Sequence, residues 1–250
     1  MQDKRGNPVG NKEDHRPSQG TREKLELERA LRQAVKDGCL DRVATILAAG
    51  VADINACGRD GNSPLHLAVK SGHNKVFDWL LRRDGINLDV GDKCGMTPLM
   101  CAAKWDNDHA VNELLVRLSL EQINAQDNSG NTALILAAAK GHLEAVRKLV
   151  NVEGINLNTR ARDGHTALES AMDYHNPEVV RFLAGLPGIK QAGARINRRY
   201  NATITDRENP QKLQYCRGHY NQLGKPLKPR RTTEPVSTSS SGTVLALRCG

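Results

Sequence analysis

Residues 61–81 read GNSPLHLAVKSGHNKVFDWLL. Two histidines, His66 and His73, stand seven positions apart. On one continuous helix that spacing is about two turns and would put both imidazoles on one face, as in a metal or catalytic pair. The alternative is that the stretch serves architecture, and the rest of the chain discriminates between the two.

The stretch recurs. GMTPLMCAAKWDNDHAVNELL begins at Gly95, GNTALILAAAKGHLEAVRKLV at Gly130 and GHTALESAMDYHNPEVVRFLA at Gly164, at offsets of 34, 35 and 34 residues. A fifth copy without its leading turn, LRQAVKDGCLDRVATILAAG, aligns Ala34 and Gly38 with Ala68 and Gly72, again 34 residues apart. A period of this size indicates a stacked array in which each unit is one supersecondary element.

In these copies Ser63-Pro64-Leu65-His66-Leu67-Ala68 and Thr97-Pro98-Leu99-Met100-Cys101-Ala102 resemble the T-P-L-H-x-A signature of ankyrin repeats, and the resemblance covers about residues 25–189. It implies an all-α solenoid of helix-turn-helix units with projecting β-turn fingers, flanked by disordered termini. The physics of each copy agrees. Ser63, Thr97, Thr132 and Thr166 stand where a hydroxyl caps the first helix, and Pro64 and Pro98 occupy the first helical position, where a missing N–H costs nothing. Ala68, Ala102, Ala137 and Ala171 allow close helix approach, and Gly72 and Gly141 suit a left-handed helix end. Val76, Trp79 and Leu80 place apolar groups on the second helix. One unit has too little apolar surface to fold alone, so neighbours stabilise one another.

This reading gives a disordered N-terminal segment at 1–20, a repeat domain at 21–190 and a basic, largely disordered tail at 191–250. The five units run over about 25–57, 58–91, 92–126, 127–160 and 161–190. His73 falls in the turn between two helices, and His66 is replaced by Met100, Ile135 and Glu169 in the other copies. Both are expected to hold turns, with no metal or cofactor.

Composition fits the same architecture. Hydrophobic content is 38% and aromatic content only 3%, which favours Ala/Leu-packed helices. The net charge is +8, and residues 191–250 carry eight Arg and three Lys against Asp206, Glu208 and Glu234, so the whole excess lies in the tail. The opening MQDKRGNPVG has no apolar run, so an intracellular address, in cytoplasm and/or nucleus, is expected. No stretch is apolar and long enough to span a bilayer. The six cysteines show no C-x-x-C pair and are expected to be reduced, mostly small packing residues; Cys216 and His219, three apart, are too few ligands for a metal site.

No nucleophile elbow, phosphate-cradling loop or H-E-x-x-H motif is present, and Asp60, Asp92, Asp127 and Asp163 fall in the repeat-equivalent turn regions, so no enzyme is expected. What remains is a surface. The resemblance implies that a partner protein docks on the concave face made by the fingers and the solvent side of the first helices. By register the unit at Gly61 presents Arg59, Asn62, Lys70 and Ser71 there, and the next presents Lys93, Met96, Lys104 and Trp105. The following two add Asn128, Asn131 and Lys140, then Arg160, Arg162, His165, Asp173 and Tyr174. The cationic bias predicts an acidic partner segment, with Trp105 as anchor and the protein monomeric. A different reading places function in the tail. Its basic residues interleave with tyrosines, and Lys225, Lys228, Arg230 and Arg231 cluster, as in a nucleic-acid-binding or nuclear-targeting segment. A third makes the protein a non-catalytic subunit that recruits substrates to an enzyme.

Overall fold

The computed structural model describes residues 19–189. The N-terminal residues 1–18 and the tail from 190, with its basic cluster, lie outside the described residues. The elements are helices: α1 Gln19–Lys36 and α2 Leu40–Ala48, α3 Pro64–Lys70 and α4 Asn74–Leu81, α5 Pro98–Lys104 and α6 Asp108–Leu115, a short α7 Leu120–Ile123, α8 Ala133–Lys140 and α9 Leu143–Val150, and α10 Ala167–Asp173 and α11 Pro177–Ala184. No strand occurs among the described residues. The first helices α1, α3, α5, α8 and α10 pack in sequence order as one layer, and α2, α4, α6, α9 and α11 as a second.

Helix starts follow from their caps. The hydroxyls of Ser63, Thr97, Thr132 and Thr166 accept from the amides of His66, Met100, Ile135 and Glu169. Each such cap is worth about 1 kcal/mol. Between the layers, Ala34, Ala68, Ala102, Ala137 and Ala171 are all at 0% exposure, so helix backbones meet where no larger side chain would fit. Phe77, Leu80, Leu114, Leu149 and Leu183 close the core from the second layer. Trp79, expected among them, is only half-buried. Its ring lies outside the seam with the Arg83 guanidinium 3.8 Å above it, one helical turn on. The expectation of packing cysteines holds for Cys101 alone among the four described; Cys39, Cys57 and Cys94 are exposed because they lie in turns rather than on the seam.

The turn between the two helices of each unit needs one left-handed residue. Gly38, Gly72 and Gly141 supply it, but Asp106 (φ 58°) and His175 (φ 57°) hold the same position in the other two units. The next residue then reaches back to the preceding unit. His73 Nε2 lies 2.8 Å from Lys36 O and His142 Nε2 3.1 Å from Lys104 O. Asn107 Nδ2 donates to Val69 O at 3.2 Å, and Asn176 Nδ2 to both Ala138 O and Ala139 O at 2.9 Å. A carbonyl only accepts, so Nε2 of each histidine bears a proton. These side chains satisfy helix-end carbonyls that have no intrahelical partner.

The fingers are backbone turns closed by Gly58 N–Asn62 O, Asp92 N–Met96 O, Asp127 N–Asn131 O and Ala161 N–His165 O hydrogen bonds. Neighbouring fingers are joined by Lys93 N to Asp60 O (3.3 Å), Asn128 N to Cys94 O (2.8 Å) and Arg162 N to Ser129 O (2.8 Å). That approach requires glycine at Gly61, where φ is +75° and a Cβ would stand 2.5 Å from Lys93 N. Behind the fingers, Asn55, Asn124 and Asn158 donate to the carbonyls of Gly85, Gly154 and Gly188 in the following unit. The equivalent position in the second unit is Asp89, whose carboxylate has no N–H to give. There the polarity reverses: Gln122 Nε2, from α7, donates to Asp89 Oδ2 at 2.8 Å. The extra helix therefore supplies the donor that this link lacks.

Asn107 is buried and bridges two units, accepting from Ala110 N at 3.0 Å while donating to Val69 O. Asn107→Ala removes both bonds, leaves the Ala110 amide without its cap and leaves Val69 O only its bond from Gly72 N, so urea denaturation should show a loss of about 1–3 kcal/mol. Asn107→His, which imitates His73 and His142, should recover much of it.

Candidate functional site

Within the unit that opens the sequence, His66 and His73 act in opposite directions. α3 ends at Lys70 and α4 starts at Asn74, so the two imidazoles do not share a helix. His66 is fully buried, with Nδ1 2.8 Å from Ser63 Oγ and Nε2 2.8 Å from Met96 O in the following unit. Both nitrogens are engaged, Nε2–H donating forward while Nδ1 accepts from Ser63. His73 reaches back to Lys36. Burial lowers the His66 pKa from the ordinary 6.5, with the nearby Lys70 charge acting the same way and the Met96 carbonyl bond opposing both. The buried Cys101 thiol is pushed up to about 11 by desolvation and stays protonated. Among the described residues no group of three or more His, Cys, Asp or Glu side chains could hold a metal ion.

The candidate face is built by two rows that the repeat spacing brings together. The fingers place Arg59, Lys93, Asn128 and Arg162 at one equivalent, exposed position. The last turns of the first helices place Lys36, Lys70 and Lys104 at a second, followed there by Ala139 and Asp173. One residue further on stand Asp37, Ser71, Trp105, Lys140 and Tyr174. Trp105 is 55% exposed and Tyr174 67%. A shallow cleft of about 350 Å³ separates the last two fingers, lined by Asn128, Ser129, Asn131, Arg162 and Asp163.

Not every residue expected on this face is presented by it. Asn62 and Met96 are each only 7% exposed. Asn62 accepts from Lys70 Nζ and donates to Asp60, and Met96 lies beneath Lys104, whose Nζ is 3.7 Å from its sulfur. Both prop cations from below instead of meeting solvent. Lys70 is half-buried and paired with Asp92 Oδ2 at 3.2 Å, so it ties two fingers and is not a free charge. Arg160 binds the buried Glu169 at 3.0 Å, and His165 Nδ1 lies 3.0 Å from Asp173 and 3.8 Å from Asp163. Arg59, Lys93, Lys104, Lys140 and Arg162 have no carboxylate partner among the described residues.

Two charged members were missed. Lys36, exposed at the end of α1, is legible as the residue 34 positions before Lys70. Asp60 is exposed on the finger beside Arg59; the Asn62 hydrogen bond, then Lys36 and Lys70, lower its pKa against the opposing effect of burial. It is an acidic group beside the cations, and Asp163 stands at the equivalent position of the last finger.

A family model described as Ankyrin repeats (3 copies) matches residues 31–121 and 110–199. The chain belongs to the ankyrin-repeat family, whose units are in general non-catalytic protein-binding modules. It is similar to Rabankyrin-5 of Mus musculus, 31% identical over 183 residues, which is 72% of this chain and 15% of that protein. It is 37% identical over 123 residues to neurogenic locus notch homolog protein 2 of Homo sapiens, covering 49% of this chain and 5% of the relative. The tyrosine-protein kinase HTK16 of Hydra vulgaris is 27% identical over 135 residues, 54% of this chain and 18% of the kinase. The chain thus corresponds to a small part of each relative's length. No helix among the described residues is long and apolar enough to cross a membrane.

His66 yields a test of the buried seam. Its folded pKa lies below 6.5, so under acid conditions the unfolded chain takes up a proton that the folded one refuses. The stabilisation is complete above 6.5 and is lost as pH falls from there through the folded value. The slope attributable to His66 approaches about 1.4 kcal/mol per pH unit in that window. Urea melts between pH 7 and pH 4 should show this slope, and His66→Met, the residue found at Met100, should remove it.

Proposed function

We infer that this protein binds a partner protein through the concave face of its solenoid, and that the bound segment is acidic. The observation that supports this is a set of cations on one face, Arg59, Lys93, Lys104, Lys140 and Arg162 together with Lys36, that have no carboxylate partner among the described residues although the first 190 residues carry equal numbers of acidic and basic side chains. Charges that a fold leaves unpaired on one face, beside Trp105, steer and orient an oppositely charged partner. A rigid scaffold loses little conformational entropy on binding, so a few anchors suffice for affinity. Asn62 and Met96 belong to this reading as supports of Lys70 and Lys104 rather than as contacts, Asn131 and His165 lie in the last two fingers, and Tyr174 stands at the end of α10.

The uneven charge of the chain supports a second reading, in which the tail at 191–250 binds nucleic acid or directs the protein to the nucleus while the repeats dock a partner. The two separate on deletion and salt. In the second, removing 191–250 abolishes a nucleic-acid affinity that falls steeply with salt.

Quantitative affinity capture from cell extract with full-length chain tests the first. Partners retained by the wild type should be retained equally after deletion of 191–250. Trp105→Ala combined with Lys104→Glu should weaken capture at least tenfold, a loss that corresponds to about 1.4 kcal/mol. Capture unaffected by the double substitution would sink the proposal.

A further inference from the structure

Trp105, Lys140 and Tyr174 occupy the same position in three successive units, at the ends of α5, α8 and α10, which pack as immediate neighbours. The equivalents in the first two units are Asp37 and Ser71, so the scaffold does not require an aromatic ring there. Both rings are mostly exposed, at 55% and 67%, in a chain whose aromatic content is 3%. Adjacent helix axes lie about 8–10 Å apart, which puts the two rings roughly 16–20 Å from one another with the Lys140 ammonium between them. Lys104 stands beside the first ring, and Arg162 projects from the finger of the unit that carries the second.

Resting on the binding reading above, we propose that this aromatic–cation–aromatic row is a two-anchor ruler for an extended acidic peptide whose apolar side chains stand six residues apart. An extended chain advances about 3.3 Å per residue, so six residues span the rings. Six is also an even number, and side chains on an extended strand alternate sides, so residues i and i+6 both face the solenoid. Acidic residues at i+2 and i+4 share that side and come within reach of the flexible Lys140 stem. A peptide fits better than a nucleic-acid strand. Asp60, Asp163 and Asp173 lie in the same rows and repel a charge carried at every step of a phosphate backbone, whereas a peptide places its acidic residues only opposite the cations; two rings this far apart also cannot stack successive bases.

The test uses full-length protein and synthetic peptides of identical composition, rich in Glu, with two Leu at i and i+6 or at i and i+3. Affinity is read by fluorescence anisotropy. The i+6 peptide should bind about tenfold more tightly than the i+3 peptide, and Trp105→Ala or Tyr174→Ala should each abolish that difference. The basic tail cannot sense spacing and contributes equally to both. Equal affinities that still fall on Lys104→Glu with Lys140→Glu overturn the ruler and leave an acidic-segment site in place. Equal affinities indifferent to that charge reversal overturn both. Displacement of the i+6 peptide by an oligothymidylate, lost in the same aromatic variants, would assign the row to nucleic acid and overturn the proposal.

Discussion

Each unit completes the backbone hydrogen bonding of the unit before it, and the fold depends on this. Apart from α1, the first helices are only seven or eight residues long, too short to persist alone in water. Their last carbonyls have no partner within the helix, and those of Val69 and Ala138 otherwise accept only from the turn glycines Gly72 and Gly141. The side chain that follows the left-handed turn of the next unit supplies a donor: His73, Asn107, His142 or Asn176. Imidazole and carboxamide are interchangeable there because each carries an N–H at the right reach. The alanines at the seam keep that distance short, and Gly61 does the same for the fingers.

The division of labour on the surface follows from this scaffold. Backbone bonds, caps and small buried residues fix the stack, so the outward positions of fingers and first helices are free to differ between units. Some of that freedom is used internally. Lys70 is spent on Asp92 and Asn62, and Arg160 on Glu169, whose carboxylate also caps α10. On the face itself, the cations without a carboxylate partner among the described residues include Lys36, Arg59, Lys93, Lys104, Lys140 and Arg162, with carboxylates in the last unit at Asp163 and Asp173. A net charge summed along the sequence conceals this pattern.

The third unit shows how a departure in one place is compensated in another. Asp89, at the end of the second unit, stands where other units carry an asparagine donor, and α7 of the third unit brings Gln122 to it with the polarity reversed. Asp106 adopts a left-handed conformation that in the first, second and fourth units is glycine's, at a cost of about 1–2 kcal/mol. Its carboxylate lies 3.3 Å from His142 in the following unit, a contact that glycine could not make. The same unit carries Trp105, so the least regular stretch of the scaffold bears the most distinctive side chain of the face.

The sequence by itself determined the repeat, its period, the hydroxyl caps, the alanine seam and the row to which each surface residue belongs. All of these are set by local chemistry recurring at a fixed interval, and recurrence needs no coordinates to be seen. It also showed that His66 and His73 belong to separate helices, since Gly72 interrupts them. Tertiary structure alone decided which way each polar side chain is committed. Met96 and Lys93 sit in the same finger, yet one is buried under Lys104 and the other is exposed. Lys70 and Lys104 share a position and each has an aspartate at the matching place of the next finger, yet Lys70 pairs with Asp92, whereas Asp127 is bonded by Asn131 and Lys104 turns to the Met96 sulfur. Partnerships between units depend on the distance between atoms remote in the chain, and residue order alone does not fix that distance.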